Sequence, residues 1–193
     1  MACGRLIVVS GPAAVGKSTI VRALQAELSR HGQMWLTIEL DTFARSLPRR
    51  WLSWGDHHGR FAELGFVYAR TGNGQVELAI GPDGRRFLSA FHRSVAAVVE
   101  QGISVVCEGI VYDDEDWRDW TAALADVPTC WVRLTAPLSI LESRERAERS
   151  EASQGLARGM TARSLAGKYD LEIDTGAEAI AASVQRVANW LWA

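Results

Sequence analysis

The sequence is poor in cysteine and lysine, has no strong excess of charge and contains no long apolar run. Its 193 residues carry a formal net charge of −2, so the overall charge gives no reason to expect nucleic acid or an anionic membrane as a partner. The three cysteines, Cys3, Cys107 and Cys130, are odd in number and form no C-x-x-C pair. This argues against a disulfide framework and against a zinc site.

The apolar runs are also too short for membrane insertion or secretion. None is long enough for a membrane span, and the first is too short for the central region of a signal peptide. We therefore expect a cytoplasmic protein without a membrane partner. The chain length is typical of one domain, and we predict a single domain over residues 1–193.

One of the only two lysines lies in the segment Gly-Pro-Ala-Ala-Val-Gly-Lys-Ser at residues 11–18. The segment fits the pattern G-x-x-x-x-G-K-[ST] and lies between an apolar, strand-like run and a helical pattern, as a phosphate-binding loop requires. In such a loop, backbone amides and the positive end of the helix dipole surround phosphate oxygens. The alternative is an ordinary turn between a strand and a helix.

Each fixed position of this loop has a physical purpose. Gly11 and Gly16 allow backbone angles and a close approach that a side chain would prevent. Lys17 is expected to reach the terminal phosphates of a nucleotide and to neutralise charge in catalysis, and Ser18 to face Mg²⁺. The predicted nucleotide-binding residues here are Gly11, Pro12, Ala13, Ala14, Val15, Gly16, Lys17, Ser18 and Thr19.

Hydrophobic patterning predicts alternating strands and helices. The predicted strands are Leu6–Ser10, Met34–Leu40, Ile103–Cys107, Cys130–Thr135 and Leu171–Asp174. Helices are predicted at 17–31, 42–46, 87–100, 113–125 and 138–150, and from a capping box at Thr175–Glu178 to Trp192. Several strands are apolar throughout, as in strands buried on both faces. The order predicts an α/β fold, a parallel sheet with helices on both faces.

Two carboxylates close predicted strands, Asp41 and Glu108. Open α/β sheets bind ligands at the carboxyl ends of their strands. We therefore predict that Asp41 acts on the substrate, and that Asp41 or Glu108 helps Ser18 to hold Mg²⁺ through water. Asp41 could instead cap the short helix at 42–46, and Glu108 could be a helix cap or a surface charge.

The stretch before the third helix is predicted to form an insert. Residues 48–60 are irregular and include Trp51 and Trp54, while segments 66–69 and 75–80 flank a glycine-rich turn, which predicts a β-hairpin. Such segments often form a wall of a binding site, and tryptophans would suit an acceptor that contains a ring. The alternative is that the tryptophans only cover the core.

The helix predicted at 138–150 carries Arg144, Arg146 and Arg149. Arginines near a phosphate loop stabilise the charge on a transferring phosphoryl group. Arg144 and Arg149 are therefore predicted to bind the nucleotide, and Arg144 to act in catalysis. The alternative is that these arginines pair with the interleaved glutamates on the helix surface.

Together these residues resemble the chloramphenicol phosphotransferase-like P-loop kinases over nearly the whole chain. The resemblance is carried by residues 11–18, 40–42, 80–82, 105–108, 144–147, 155–159 and 169–175. It implies a P-loop kinase fold with a substrate-binding insert at about residues 48–86 and an arginine-bearing lid at about residues 142–162. It also implies transfer of the γ-phosphoryl group of ATP, with Mg²⁺, to a hydroxyl of a small molecule such as an antibiotic, with Asp41 as general base.

Two other functions stay open at this point. One is a metabolic kinase for a nucleoside, a sugar or a shikimate-like compound. The other is a nucleotide switch or binding protein that hydrolyses nucleotide without a small acceptor. A guanine-specific switch would need an Asn/Thr-Lys-x-Asp element after a strand, and the segment Gly-Lys-Tyr-Asp at 167–170 lacks the first residue and precedes its strand.

Overall fold

The fold is described by a computed structural model that covers residues 3–30, 32–148, 151, 154–161 and 167–192. Strands of the described part are β1 (Leu6–Ser10), β2 (Trp35–Glu39), β3 (Leu52–Trp54), β4 (His57–His58), β5 (Phe66–Arg70), β6 (Val76–Ile80), β7 (Ser104–Glu108), β8 (Thr129–Thr135) and β9 (Leu171–Asp174). Helices are α1 (Lys17–Ser29), α2 (Leu40–Ala44), α3 (Pro82–Glu100), α4 (Asp114–Ala123), α5 (Leu138–Glu148), α6 (Leu156–Thr161) and α7 (Ile180–Trp192).

The central sheet is parallel, with strand order β2-β7-β1-β8-β9. Successive side chains of its middle strand point to opposite faces, as the two-residue period of a strand requires. Ile7 and Val9 pack with α1 and α7, whereas Leu6 and Val8 pack with α3 and α4. This layering confirms the predicted α/β architecture with helices on both faces.

The insert forms a second sheet rather than a hairpin alone. The predicted hairpin is present as antiparallel β5 and β6, but β3 and β4 join it in the order β4-β3-β5-β6. The prediction that residues 48–60 are irregular is therefore wrong for part of that stretch. Its strands are only three and two residues long, too short to show a period, and they depend on pairing with distant segments.

Several predicted boundaries also need correction. The second strand ends at Glu39, and Leu40 already begins α2, so Asp41 lies in the first turn of the helix and does not cap it. The third helix begins five residues earlier than predicted, at Pro82, where the missing N–H of proline is tolerated. The helix α6 at Leu156–Thr161 was not among the predicted elements.

The predicted capping box at the last helix is wrong. The helix begins at Ile180, and the Thr175 hydroxyl instead donates to the carbonyl of Val15, 2.8 Å away. Arg144 Nη1 also donates to the Thr175 hydroxyl at 3.1 Å. Long-range bonds to the phosphate loop and α5 have therefore replaced the local cap that the sequence suggested. Within the described ranges, no helix is long and apolar enough to cross a bilayer.

A buried polar cluster joins α3 to α4. His92 and Asp116 are 1% and 2% exposed, and their nearest ring nitrogen and carboxyl oxygen lie 3.5 Å apart. The other ring nitrogen of His92 lies 2.6 Å from Asp119 and donates to that carboxylate. Burial lowers the pKa of His92 to about 4 and raises the pKa of Asp116 to about 7.

The raised pKa of Asp116 makes a prediction about stability. A raised folded-state pKa means that ionisation of the carboxyl group opposes folding. The stabilising contribution of the protonated carboxyl group is therefore present at low pH and is lost as the pH rises through about 7. Asp116→Asn removes the ionisable group. Its side-chain oxygen can still accept the hydrogen bond that the Tyr112 amide donates to Asp116 at 3.0 Å. Relative to the unsubstituted protein, we expect this variant to gain at least about 1 kcal/mol of unfolding free energy between about pH 5 and pH 8.

Urea denaturation at several pH values measures this difference. Asp114→Asn, at an exposed position of the same helix, is the matched control and should show no such trend. A difference between the D116N variant and the unsubstituted protein that is the same at every pH would contradict the explanation.

Candidate functional site

The segment at residues 11–18 lies at the carboxyl end of β1, between that strand and α1. Gly11 packs so closely against β8 that a Cβ there would lie 2.5 Å from the carbonyl oxygen of Leu134. At Gly16 a Cβ would have open space, but the φ of +93° favours glycine. Gly11 is therefore needed both for space and for its φ of +153°, whereas Gly16 is needed for backbone conformation alone.

Lys17 is the first residue of α1 and bends back over the loop. Its ammonium group donates to the carbonyls of Gly11 at 3.1 Å and Pro12 at 3.0 Å. The first turn of α1 contains no acidic residue, so no carboxylate there competes for the positive end of the helix dipole. These features fit a phosphate group, since amides, the helix dipole and an ammonium group lie at one end of the helix.

Two cavities meet at this loop. The first, which we call the α1–α7 cavity, is bordered by residues 14–20 and by Arg22, Arg144, Thr175 and Glu178. The second, which we call the insert cavity, lies between the loop, the second sheet and α6, and Asp41, Trp54, Leu78 and Met160 are among its lining residues. Lys17, Ser18 and Glu108 border both cavities. A phosphate chain held by the loop would therefore extend from one cavity towards the other.

Glu108 is the last residue of β7 and is buried beside the loop. Burial raises the pKa of Glu108, while the positive charge of Lys17 and the nearby Ser18 hydroxyl oppose that rise. A hydroxyl and a carboxylate are hard oxygen donors of the kind that Mg²⁺ prefers. The pair therefore fits a magnesium ion, and the burial of Glu108 does not fit a surface charge.

Asp41 is exposed and faces the insert cavity. It also borders a third cavity, the α2–α3 cavity, whose walls include Leu52, Phe66 and Phe87 and which has the exposed Arg45 and Arg49 at its border. The Asp41 carboxylate therefore borders two cavities, one of which it shares with the phosphate loop.

Two tyrosines that the sequence analysis missed lie beside Asp41. Tyr68 on β5 and Tyr112 after β7 border both the insert cavity and the α2–α3 cavity. Burial, with the charge of Asp41, raises the pKa of Tyr68 to about 12, and the pKa of Tyr112 is also raised by burial. Both phenols are therefore neutral and able to donate hydrogen bonds. One sequence feature could have indicated Tyr112, namely its position just after a strand that ends in the predicted site.

The two tryptophans of the insert have different environments. Trp54 borders the insert cavity and packs against Tyr68, with 4.4 Å between ring centroids. Trp51 donates its indole N–H to Asp83 at 2.9 Å and packs against Phe61. Of these two, Trp54 is therefore the one that borders the insert cavity, whereas Trp51 joins the insert to α3.

The arginines near the phosphate loop in the prediction differ in their positions. Arg144 borders the α1–α7 cavity and donates to the carbonyls of Thr175 at 2.9 Å and Ala14 at 3.4 Å. Arg146 is exposed, and Arg149 lies outside the described residues. Arg158 on α6 forms an ion pair with Glu142 of α5 at 2.6 Å, which joins two helices and is not the pairing along one helix that the sequence left open. Arg144 is thus the arginine of this set that the described geometry brings to the loop.

Comparison with known proteins identifies a matching family. The sequence model of the family "Chloramphenicol phosphotransferase-like protein" matches residues 4–191. No curated protein sequence matched the chain.

Several solved structures share the fold at low sequence identity. APS kinase from Mycobacterium tuberculosis, in complex with AMPPNP and APS, is 16% identical with a TM-score of 0.69, and the match covers 100% of both chains. A gluconokinase from Sinorhizobium meliloti 1021 is 16% identical with a TM-score of 0.63 over 100% of this chain and 98% of that one. The tunicamycin resistance protein of Deinococcus radiodurans is 14% identical with a TM-score of 0.59 over 97% and 95%.

The two lysines of the chain allow a matched test of the loop. We expect Lys17→Ala to abolish thermal stabilisation by Mg-AMPPNP because the phosphates lose their ammonium partner, and the exposed Lys168→Ala to keep it. At a ligand concentration of about 100 Kd, binding adds about 2.7 kcal/mol. For a chain of this size, that corresponds to a Tm increase of about 5–10 °C. Equal shifts in both variants would contradict a role for Lys17.

Proposed function

The chain belongs to the chloramphenicol phosphotransferase-like family and is an ATP-dependent kinase, and we propose that its acceptor is a hydroxyl group of a small molecule. The observation that carries this proposal is the position of Asp41, which shares one cavity with Lys17 and Ser18. A carboxylate at that point can accept the proton of a hydroxyl group that enters the insert cavity.

The chain's own residues supply positioning and charge in this proposal. Bound ATP with Mg²⁺ would supply the phosphoryl group that is transferred. The loop amides and Lys17 bind phosphate oxygens, and Ser18 with Glu108 provides oxygen ligands for the metal ion. Arg144 binds on the α1–α7 side and neutralises negative charge. Asp41 orients the acceptor hydroxyl and takes its proton as the new P–O bond forms and the bond from the γ-phosphorus to the β,γ-bridging oxygen breaks, with ADP as the leaving group.

The insert cavity favours an uncharged acceptor with an apolar body. Apolar side chains such as Val76, Ile110 and Leu156 border it, and among its described lining residues only Lys17 is positively charged. A buried anionic group would need a cationic partner, whereas Lys17 faces the loop. An antibiotic with an alcohol group meets these requirements, and we propose this class of acceptor.

A metabolic acceptor with an acidic group is the second candidate. It is favoured by the α2–α3 cavity, which Asp41 borders together with Arg45 and Arg49. An acid such as gluconate could place its carboxylate there and its hydroxyl at Asp41. The two candidates differ in the cavity beside Asp41 that holds the body of the acceptor.

A mass-spectrometric screen distinguishes these candidates. The protein is incubated with Mg-ATP and with a panel that contains chloramphenicol, tunicamycin, neutral sugars, nucleosides, gluconate, shikimate and APS, and products are examined for an added phosphoryl group. Phosphorylation of neutral, apolar compounds supports the first candidate. Phosphorylation of acids that is lost in the R45Q and R49Q variants supports the second. Hydrolysis of ATP that no compound stimulates would favour a nucleotide switch and contradict the proposal.

The role of Asp41 has its own test. We expect Asp41→Asn to lower turnover of the phosphorylated compound by about 10²–10⁴-fold because the amide cannot accept the hydroxyl proton. The Kd for AMPPNP should not change, since Asp41 lies on the acceptor side of the loop. Asp126→Asn, in the exposed turn after α4, is the control and should retain full turnover. Near-normal turnover of the D41N variant would exclude Asp41 as the base.

A further inference from the structure

The short helix α6 forms one wall of the insert cavity. Leu156, Gly159 and Met160 of this helix border the cavity that Asp41 also borders. The helix packs directly on the second sheet, because a Cβ at Gly159 would lie 1.9 Å from the carbonyl oxygen of Val76. The position of α6 therefore sets the size of the space that an acceptor can enter.

The second sheet holds α6 from one side. The amide of Val76 donates to the carbonyl of Gly155 at 3.0 Å. Arg70 on β5 donates to the carbonyls of Glu151 at 3.0 Å and Gln154 at 2.9 Å. These bonds fix the backbone that leads into α6, and all of them come from the second sheet.

Glu145 of α5 holds α6 from the other side. Its side chain is 1% exposed, and its two carboxylate oxygens accept hydrogen bonds from the amides of Gly155 at 3.0 Å and Ala157 at 2.7 Å. A buried carboxylate is costly unless such charge-assisted bonds satisfy it. An apolar residue at position 145 would pack more simply, so the carboxylate indicates that the placement of this backbone matters.

The residue before Glu145 makes the contact with the phosphate loop. Arg144 bonds to Ala14 of that loop and to Thr175. Of two consecutive residues of α5, Arg144 thus contacts the phosphate loop and Glu145 contacts the start of α6. A helix is stiff over this length, so ordering of the loop by phosphate would restrain α5 and, through Glu145, α6.

We propose that Glu145 is a positioning residue that places α6 over the insert cavity. Together with Arg144, it couples nucleotide binding at the phosphate loop to the order of α6. This inference rests on the kinase function proposed above. A merely structural Glu145 would stabilise α6 equally with and without nucleotide, whereas a coupling residue makes the order of α6 depend on the nucleotide.

Hydrogen exchange measured by mass spectrometry across Leu156–Thr161 tests the coupling, without ligand and with saturating Mg-AMPPNP. In the unsubstituted protein, we expect AMPPNP to slow exchange of these amides at least about five-fold. In Glu145→Gln the protection should be lost although AMPPNP still binds, because the amide side chain can accept only one of the two hydrogen bonds with its oxygen. Arg144→Ala should also lose the protection at saturating AMPPNP.

Glu142→Gln is the matched control. Glu142 lies on the same helix and also contacts α6, but through the partly exposed ion pair with Arg158. Such pairs contribute little, so this variant should keep the protection by AMPPNP. Equal protection in the E145Q and E142Q variants would overturn the proposal, as would bound AMPPNP that leaves exchange of α6 unchanged in the unsubstituted protein.

The experiment also separates the coupling from the kinase function. If AMPPNP does not bind to the unsubstituted protein, the proposed function fails. Ligand-free exchange then still tests Glu145, since faster exchange of α6 in the E145Q variant than in the E142Q variant supports positioning and equal exchange overturns it. If the E145Q variant does not fold, the unsubstituted protein and the R144A variant decide the question.

Discussion

The burial of β1 is the constraint on which the rest of the structure depends. This strand pairs with β7 on one side and β8 on the other, and its five residues are all buried. Its end is therefore fixed in the middle of the sheet, and the segment that follows must turn sharply over β8, where Gly11 leaves no room for a side chain. A loop held in this way can keep its amides in place before a ligand arrives, which lowers the entropy cost of binding.

The parallel arrangement gathers the other groups around that loop. Glu39 and Glu108 end neighbouring strands in register, and α2 begins directly after the first of them. Asp41, Ser18 and Glu108 therefore meet at one edge of the sheet although they are far apart in the chain. The second sheet and α6 then enclose the space beyond this edge. The central sheet fixes the phosphate end of the site, and the added elements shape the acceptor end.

The sequence predicted best what consecutive residues encode. The loop at 11–18 and the strands around it follow from a local motif and from local apolar runs. Tyr68, Tyr112 and Glu145 were missed because their roles depend on packing between distant segments. The Thr175 prediction was wrong for the same reason, since bonds from Arg144 and to Val15 outcompete a local cap. The roles of the individual site residues remain predictions that the geometry supports.

A crystal structure with Mg-AMPPNP tests the central claim most directly. The account predicts that the phosphates lie within hydrogen-bond distance of the backbone amides at residues 15–18, that Lys17 leaves the carbonyls of Gly11 and Pro12 to contact them, and that the terminal phosphate faces the insert cavity and Asp41. Phosphates bound elsewhere, or a terminal phosphate that points away from the insert cavity, would contradict it.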